Sequence, residues 1–149
     1  MKTLVILMGL QGSGKSTFYQ KYLAEKLVRV NLDTLKTRHR ERLLIEECLR
    51  TGVDFAIDNT NPTRADRAAY IPAARAAGYR VIGCFMESKI RDCLERNKHR
   101  EGKARVPDVA ILGTSRRLEM PSYEEGFDEL YFVSNDGTEM KISKWREES

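Results

Sequence analysis

Gly9-Leu10-Gln11-Gly12-Ser13-Gly14-Lys15-Ser16-Thr17 fits the pattern GxxxxGK[ST], and the residues on either side place it between a strand and a helix. Before it, Thr3-Leu4-Val5-Ile6-Leu7-Met8 is a continuous apolar run that reads as a buried strand. After it, Ser16 to Leu27 has the spacing of an amphipathic helix. The glycines let successive backbone N–H groups turn inward on one anion. Lys15 is long enough to reach the β- and γ-phosphates of a nucleotide, and the Ser16 hydroxyl can face a phosphate-bound Mg²⁺ at the positive end of the helix. Gly9, Gly12, Ser13, Gly14, Lys15, Ser16 and Thr17 are therefore the expected binding residues for ATP or another nucleoside triphosphate, with Mg²⁺ as cofactor. The bland alternative is a glycine-rich turn with a chance lysine.

Outward from the loop, strand and helix signals alternate. Leu27 to Asn31 reads as a short strand, Lys36 to Arg50 as a helix with an apolar stripe at Leu43, Leu44, Cys48 and Leu49, and Val53 to Ile57 as a third strand. A helix from Arg64 to Ala77, kinked at Pro72, leads to a strand from Tyr79 to Phe85. A helix from Glu87 to His99 then runs into a basic, glycine-broken stretch. A last helix from Pro107 to about Glu119 precedes strands at Glu129 to Ser134 and Thr138 to Ile142, joined at Asn135-Asp136-Gly137, with Trp145 to Ser149 as a polar tail. This order predicts an α/β fold: a phosphate-loop NTPase type of parallel sheet, helices on both faces, and a short β-hairpin near the C-terminus.

The 149 residues predict one domain, spanning residues 1–149, with a helical lid at about 96–107. With 32% charged and 41% hydrophobic residues, the composition excludes a disordered chain, and the longest apolar run is too short to span a bilayer. Leu4 to Met8 runs into the glycine loop and not into a cleavage site, so the expectation is a cytoplasmic protein without a membrane partner. Cys48, Cys84 and Cys93 are widely spaced, with no CxxC or Cys/His cluster, which predicts core packing and neither disulfides nor zinc. A net charge of +4 favours polyanionic partners, and basic residues outnumber acids between Lys89 and Arg105.

Two carboxylates fall just past strand ends, on the rim where open parallel sheets bind ligands. Asp33 is either a helix cap or a base facing the phosphate loop. Asp58, in Asp58-Asn59-Thr60-Asn61-Pro62, is either a second Mg²⁺ ligand or the start of an Asx turn. Arg96 and Arg100, one helical turn apart, could close together over a γ-phosphate. Lys36 and Arg38 are placed to reach phosphates of an acceptor. Arg116 and Arg117 have a plainer reading, as cations at a helix C-terminus.

Taken together, the glycine loop, Val30-Asn31-Leu32-Asp33, Ile57-Asp58-Asn59-Thr60-Asn61-Pro62 and Arg96 through Val106-Pro107 resemble the 5′-kinase domain of polynucleotide kinases that repair nucleic-acid ends. The resemblance implies transfer of the γ-phosphate of ATP to the 5′-hydroxyl end of DNA or RNA. In it Asp33 is the general base, Lys15 and Ser16 serve the phosphates, Ser16 and Asp58 serve the metal, Arg96 and Arg100 clamp the triphosphate, and Asn59, Thr60 and Asn61 border the acceptor strand. Lys36 stands where some members carry an arginine, which removes a bidentate phosphate fork at that point. The family often adds a phosphatase or ligase. Here that work is expected of separate phosphatase or ligase proteins. Two competing readings are a small-metabolite or nucleoside kinase built on the same residues, and a nucleotide-dependent switch. The switch is opposed by the absence of DxxG and NKxD patterns after the loop.

Overall fold

The computed structural model describes residues 2–146. Its six strands, β1 (Thr3–Met8), β2 (Val28–Val30), β3 (Phe55–Asp58), β4 (Arg80–Met86), β5 (Glu129–Asn135) and β6 (Met140–Lys144), form one sheet in the order β2-β3-β1-β4-β5-β6. All pairs are parallel except β5 with β6. The chain fills one side of β1 with β2 and β3, then crosses to the other with β4, so the order reverses at the carboxyl end of β1. Such a reversal opens a crevice above the sheet. The phosphate loop leaves β1 at that point. The register sets Leu7 beside Asp58 and Met8 beside Phe85.

Helices α1 (Lys15–Phe18), α2 (Leu32–Leu35), α3 (Arg38–Thr51), α4 (Arg64–Ala68), α5 (Ile71–Ala76), α6 (Ile90–Lys98) and α7 (Asp108–Arg117) flank the sheet. The side-chain alternation of β1 makes the two layers. Leu4, Ile6 and Met8 pack with Cys48 of α3 and Ile71 and Ala74 of α5 on one face, while Val5 and Leu7 pack with Phe18 and Tyr19 on the other. A smaller cluster of Leu10, Cys93 and Ile111 seats α6 and α7 beneath the phosphate loop. All three cysteines are free and buried, in keeping with a packing role. Among the described residues no helix is long and apolar enough to cross a membrane.

Several boundaries differ from the sequence expectation, each for a local reason. The helix after the loop is α-helical only to Phe18. From Tyr19–Leu23 it widens into a π-helix, in which the Ala24 N–H donates to the Tyr19 carbonyl. The helix expected to kink at Pro72 is two helices, because the Thr63–Asp66 capping box starts α4 and Pro72 fits the opening turn of α5. Of the expected stripe on α3, Cys48 is buried and Leu44 and Leu49 pack on the core, but Leu43 is 51% exposed. The second hairpin strand starts at Met140, since the Asp136 carboxylate accepts hydrogen bonds from Thr138 and Glu139 and holds the turn through residue 139. Trp145 is no tail residue. Its ring stands edge-on to Phe85 at 5.5 Å, while residues 147–149 of the expected tail lie outside the described residues.

Candidate functional site

The phosphate loop has the strain its sequence anticipates. Gly12 and Gly14 have φ of 83° and 101°, and a Cβ on Gly12 would meet the Cys93 carbonyl oxygen at 2.7 Å. Ser13 Oγ and Gln11 Oε1 are buried with no hydrogen-bond partner among the described residues. A cradle closed to side chains and lined by an unpaired hydroxyl suits an anion rich in oxygen acceptors. Lys15 is buried, and its Nζ donates to the carbonyls of Gly9 (2.9 Å) and Leu10 (2.8 Å). Burial lowers its pKa from 10.5 to about 8, with Asp58 opposing the shift. Ser16 and Thr17 are exposed at the start of α1.

Beside the loop lies a cavity of about 320 Å³, bordered by Thr17, Lys21, Arg96, Arg100, Thr138 and Met140. Arg96 Nη1 and Nη2 donate to the carbonyls of Gly12 and Asn135, each at 3.1 Å, tying α6 to the loop and to the β5–β6 hairpin. Arg100 lies past the end of the helix that carries Arg96, so the two do not stack one helical turn apart as the spacing suggests. The helix stops at Lys98 because the buried Asn97 side chain pairs with the backbone of Val106 in both directions, at 2.7 and 3.0 Å, and folds the intervening basic loop back. Both arginines nevertheless border the cavity, and the charge of Arg100 acts on Lys15.

Asp58 ends β3 beneath the loop with its side chain 1% exposed. It meets Arg29, whose Nε and Nη2 lie 2.8 and 2.7 Å from Asp58 Oδ2, and the same Nη2 donates to Ser16 Oγ at 2.9 Å. One nitrogen thus joins the hydroxyl and the carboxylate expected to serve a metal. Among the described residues no group of three or more His, Cys, Asp or Glu side chains could hold a metal ion. A lone carboxylate with a hydroxyl fits Mg²⁺, which completes its shell with water and substrate phosphates.

Asp33 occupies the first turn of the four-residue helix α2, and that turn is pinned from below. Asn31, not Asp33, is the cap: its Oδ1 accepts from the Thr34 N–H at 3.0 Å, and its Nδ2 donates to the Asp58 carbonyl at 2.6 Å. The Leu32 N–H donates to Asn59 Oδ1, and Asn59 Nδ2 donates to the buried carboxylate of Glu41, each at 2.9 Å. Glu41 also accepts from Arg38 and from the Tyr70 hydroxyl. Asp33 itself is exposed and makes no hydrogen bond to the described residues, and its charge reaches Lys15. A carboxylate on a hydrogen-bonded turn and open to solvent can accept a proton from an approaching hydroxyl.

The remaining expected residues divide. Lys36 is exposed with φ of 79°, and Arg38 is 65% exposed, so both flank Asp33 on the open rim. Thr60 is half-buried, with its carbonyl accepting from the Gly9 N–H at 3.0 Å. Asn61 is buried with φ of 44°, and its Nδ2 donates to the Leu7 carbonyl at 2.7 Å. The amides of Asn59 and Asn61 therefore point inward, the first onto the α2 turn and Glu41, the second onto the end of β1. Three residues escaped the sequence reading. Arg29 left only a faint trace, a basic residue two positions before Asn31-Leu32-Asp33. Glu41 and Arg67 left none, because a buried charge within a polar helix looks like its solvated neighbours.

Residues 4–121 match the family described as the AAA domain. The chain is 30% identical to a putative bifunctional polynucleotide phosphatase/kinase of Acanthamoeba polyphaga mimivirus, over 97% of its own length and 37% of the relative's. It is also 30% identical to the bifunctional polynucleotide phosphatase/kinase of Schizosaccharomyces pombe, over 83% and 31%. The chain thus spans about a third of the length of these relatives. Among solved structures, Kti12 of Chaetomium thermophilum in complex with ADP-AlF3 shares the fold, with a TM-score of 0.73, 17% identity and 91% of each chain covered. With its phosphate loop, mostly parallel sheet and a match over most of its length, this chain belongs to the AAA-domain family of nucleotide-binding proteins.

Proposed function

We propose that the protein is an ATP-dependent kinase of polynucleotide 5′-hydroxyl ends, acting on DNA or RNA in end repair. The observation that carries this reading is Asp33, exposed on a turn that Asn31 and Asn59 brace just past the end of β2, on the same sheet edge where the phosphate loop leaves β1. The 5′-hydroxyl attacks the γ-phosphorus and gives its proton to the Asp33 carboxylate, while the bond from the γ-phosphorus to the β–γ bridging oxygen breaks and ADP leaves. Lys15 exchanges its two carbonyl partners for phosphate oxygens, and the N–H groups from Gly9 to Thr17 cradle the β-phosphate. Mg²⁺, held by Ser16 and by Asp58 directly or through water, would neutralise the β- and γ-oxygens. Arg96 and Arg100 border the cavity that would take the rest of the nucleotide.

Lys36, Arg38 and Thr60 would meet the acceptor around Asp33; Asn59 supports Arg38 through Glu41, and Asn61 bonds inward to the Leu7 carbonyl. Similarity to the two phosphatase/kinases supports a nucleic-acid acceptor, as does the net charge of +4. We read the described residues as one kinase unit in the cytoplasm, with 3′-end processing and sealing supplied from elsewhere. Incubation with γ-labelled ATP, Mg²⁺ and a 5′-hydroxyl oligonucleotide tests the proposal. Label on the 5′ end, with acceptor affinity falling steeply as salt rises, supports it. Transfer only to a nucleoside or sugar, indifferent to salt, would replace it with a small-metabolite kinase. ATP hydrolysis with no acceptor found would point to a nucleotide-dependent switch.

A further inference from the structure

Asp58 is the most deeply buried carboxylate at the site, and a charge removed from water requires a partner. An ordinary structural ion pair would supply one from a neighbouring element and stop there. Arg29 does more. It reaches in from the edge strand β2, and its Nη2 bonds Asp58 Oδ2 and Ser16 Oγ together, so that a cationic nitrogen bridges the two side chains that would otherwise share a metal. The guanidinium also lies over the Tyr19 ring at 5.6 Å, at the point where α1 passes into the π-helix. Its side chain is 28% exposed, which leaves one flank open for it to swing outward without disturbing the core.

We infer that Arg29 is the protein's own occupant of the divalent-cation position: it holds Ser16 and Asp58 in place while the nucleotide is absent, and a metal–triphosphate displaces it. A free divalent ion arriving alone must evict a tethered positive charge and gains only one carboxylate and one hydroxyl. An ion arriving with a triphosphate brings phosphate ligands and negative charge that attract Lys15 and Arg100 as well. The metal therefore enters with its nucleotide and not ahead of it. This inference rests on Ser16 and Asp58 as the metal ligands and is independent of the acceptor.

Mn²⁺ is the probe, since it takes the same oxygen ligands and its free form is counted by electron paramagnetic resonance. The nucleotide-free wild type is expected to bind Mn²⁺ weakly. Arg29→Met keeps an unbranched stem and removes the charge, and should bind it tighter by roughly tenfold or more, because a unit charge about 4 Å away opposes a second cation by several kT. The gain should vanish in Arg29→Met/Asp58→Asn. Equal affinity in wild type and Arg29→Met, or a gain that survives Asp58→Asn, overturns the inference.

A second measurement uses the wild type alone and covers the case in which Arg29→Met does not fold. The side-chain N–H resonance of Arg29, identified by its loss in Arg29→Lys, should stay in place with Mg²⁺ alone. It should shift, and lose its protection from solvent exchange, with Mg²⁺ and a non-hydrolysable ATP analogue. A resonance that stays protected with both bound would show that the guanidinium never leaves, and would equally overturn the inference. Neither readout involves a 5′-hydroxyl, so failure of the kinase proposal leaves both intact.

Discussion

Arg67→Ala should be among the most damaging single changes away from the phosphate loop. The side chain is wholly buried, and it fixes the loop after β3 against the segment that follows α7. Nε and Nη2 grip the Glu125 carboxylate at 2.7 and 3.1 Å, while Nη1 donates to the carbonyls of Asn61 at 3.0 Å and Glu119 at 3.2 Å. Glu125 has a side chain only 8% exposed, and truncating the arginine strands it with the Ser122 N–H as its remaining backbone donor. Removing one member of a buried pair costs about 3–5 kcal/mol, a large share of the roughly 5–15 kcal/mol that holds a domain together. At about 2–4 °C per kcal/mol for a chain of this size, the midpoint should fall by roughly 6–20 °C. Urea titration and calorimetry measure both quantities, and salt should alter the loss little because the pair is shielded from solvent. Arg67→Met/Glu125→Leu, which removes both charges and fills the space, should recover part of the loss. A cost below about 1 kcal/mol, the range of an exposed pair, would refute the reasoning. So would a double variant no more stable than Arg67→Ala.

Gly14→Ala puts a Cβ 2.7 Å from Asn135 Nδ2 and 2.8 Å from Met140 Cε, at a φ of 101°. It should cost roughly 1–3 kcal/mol in stability and weaken binding of an ATP analogue in calorimetry; no change in either would contradict the cradle geometry. Asn59→Ala removes the acceptor for the Leu32 N–H and a donor to Glu41, and should slow turnover more than it weakens nucleotide binding, a split that steady-state kinetics and direct binding resolve. Lys15, with its pKa lowered to about 8, loses its proton in the folded protein before it does in the unfolded chain. Between about pH 8 and 10.5 the unfolded state holds more protons, so this group's contribution to stability rises with pH across that window, and the cost of its buried charge is fully present below about pH 8. Triphosphate binding should restore the charge and take up a proton near about pH 9, seen as a dependence of binding heat on buffer ionisation that Lys15→Met removes.

The sheet and the phosphate loop were legible because both depend on local pattern: apolar runs of strand length, glycines at fixed spacing, and acids just past strand ends. Asp33 and Asp58 reached the same rim for that reason. Arg100 was harder, because its register depends on Asn97 bonding to Val106 across the basic loop, a contact with no trace in periodicity. Asn59 and Asn61 were recognisable as rim residues, but their inward direction follows from Glu41 and the Leu7 carbonyl, which only the folded chain brings near. Arg29 shows the limit most clearly. On a three-residue edge strand a basic residue suggests a solvated face, and its bond to the buried Asp58 depends on the pairing of β2 with β3.

The most direct test is single-turnover transfer from ATP to a 5′-hydroxyl oligonucleotide by Asp33→Asn, with the dissociation constant of an ATP analogue measured on the same preparation. The substitution keeps the shape of an exposed side chain and removes its basicity. Transfer should slow by roughly 10²–10⁴-fold, the usual contribution of a positioned general base, with nucleotide affinity essentially unchanged. Transfer at the wild-type rate, or a collapse in nucleotide affinity that accounts for the loss, would contradict Asp33 as the base.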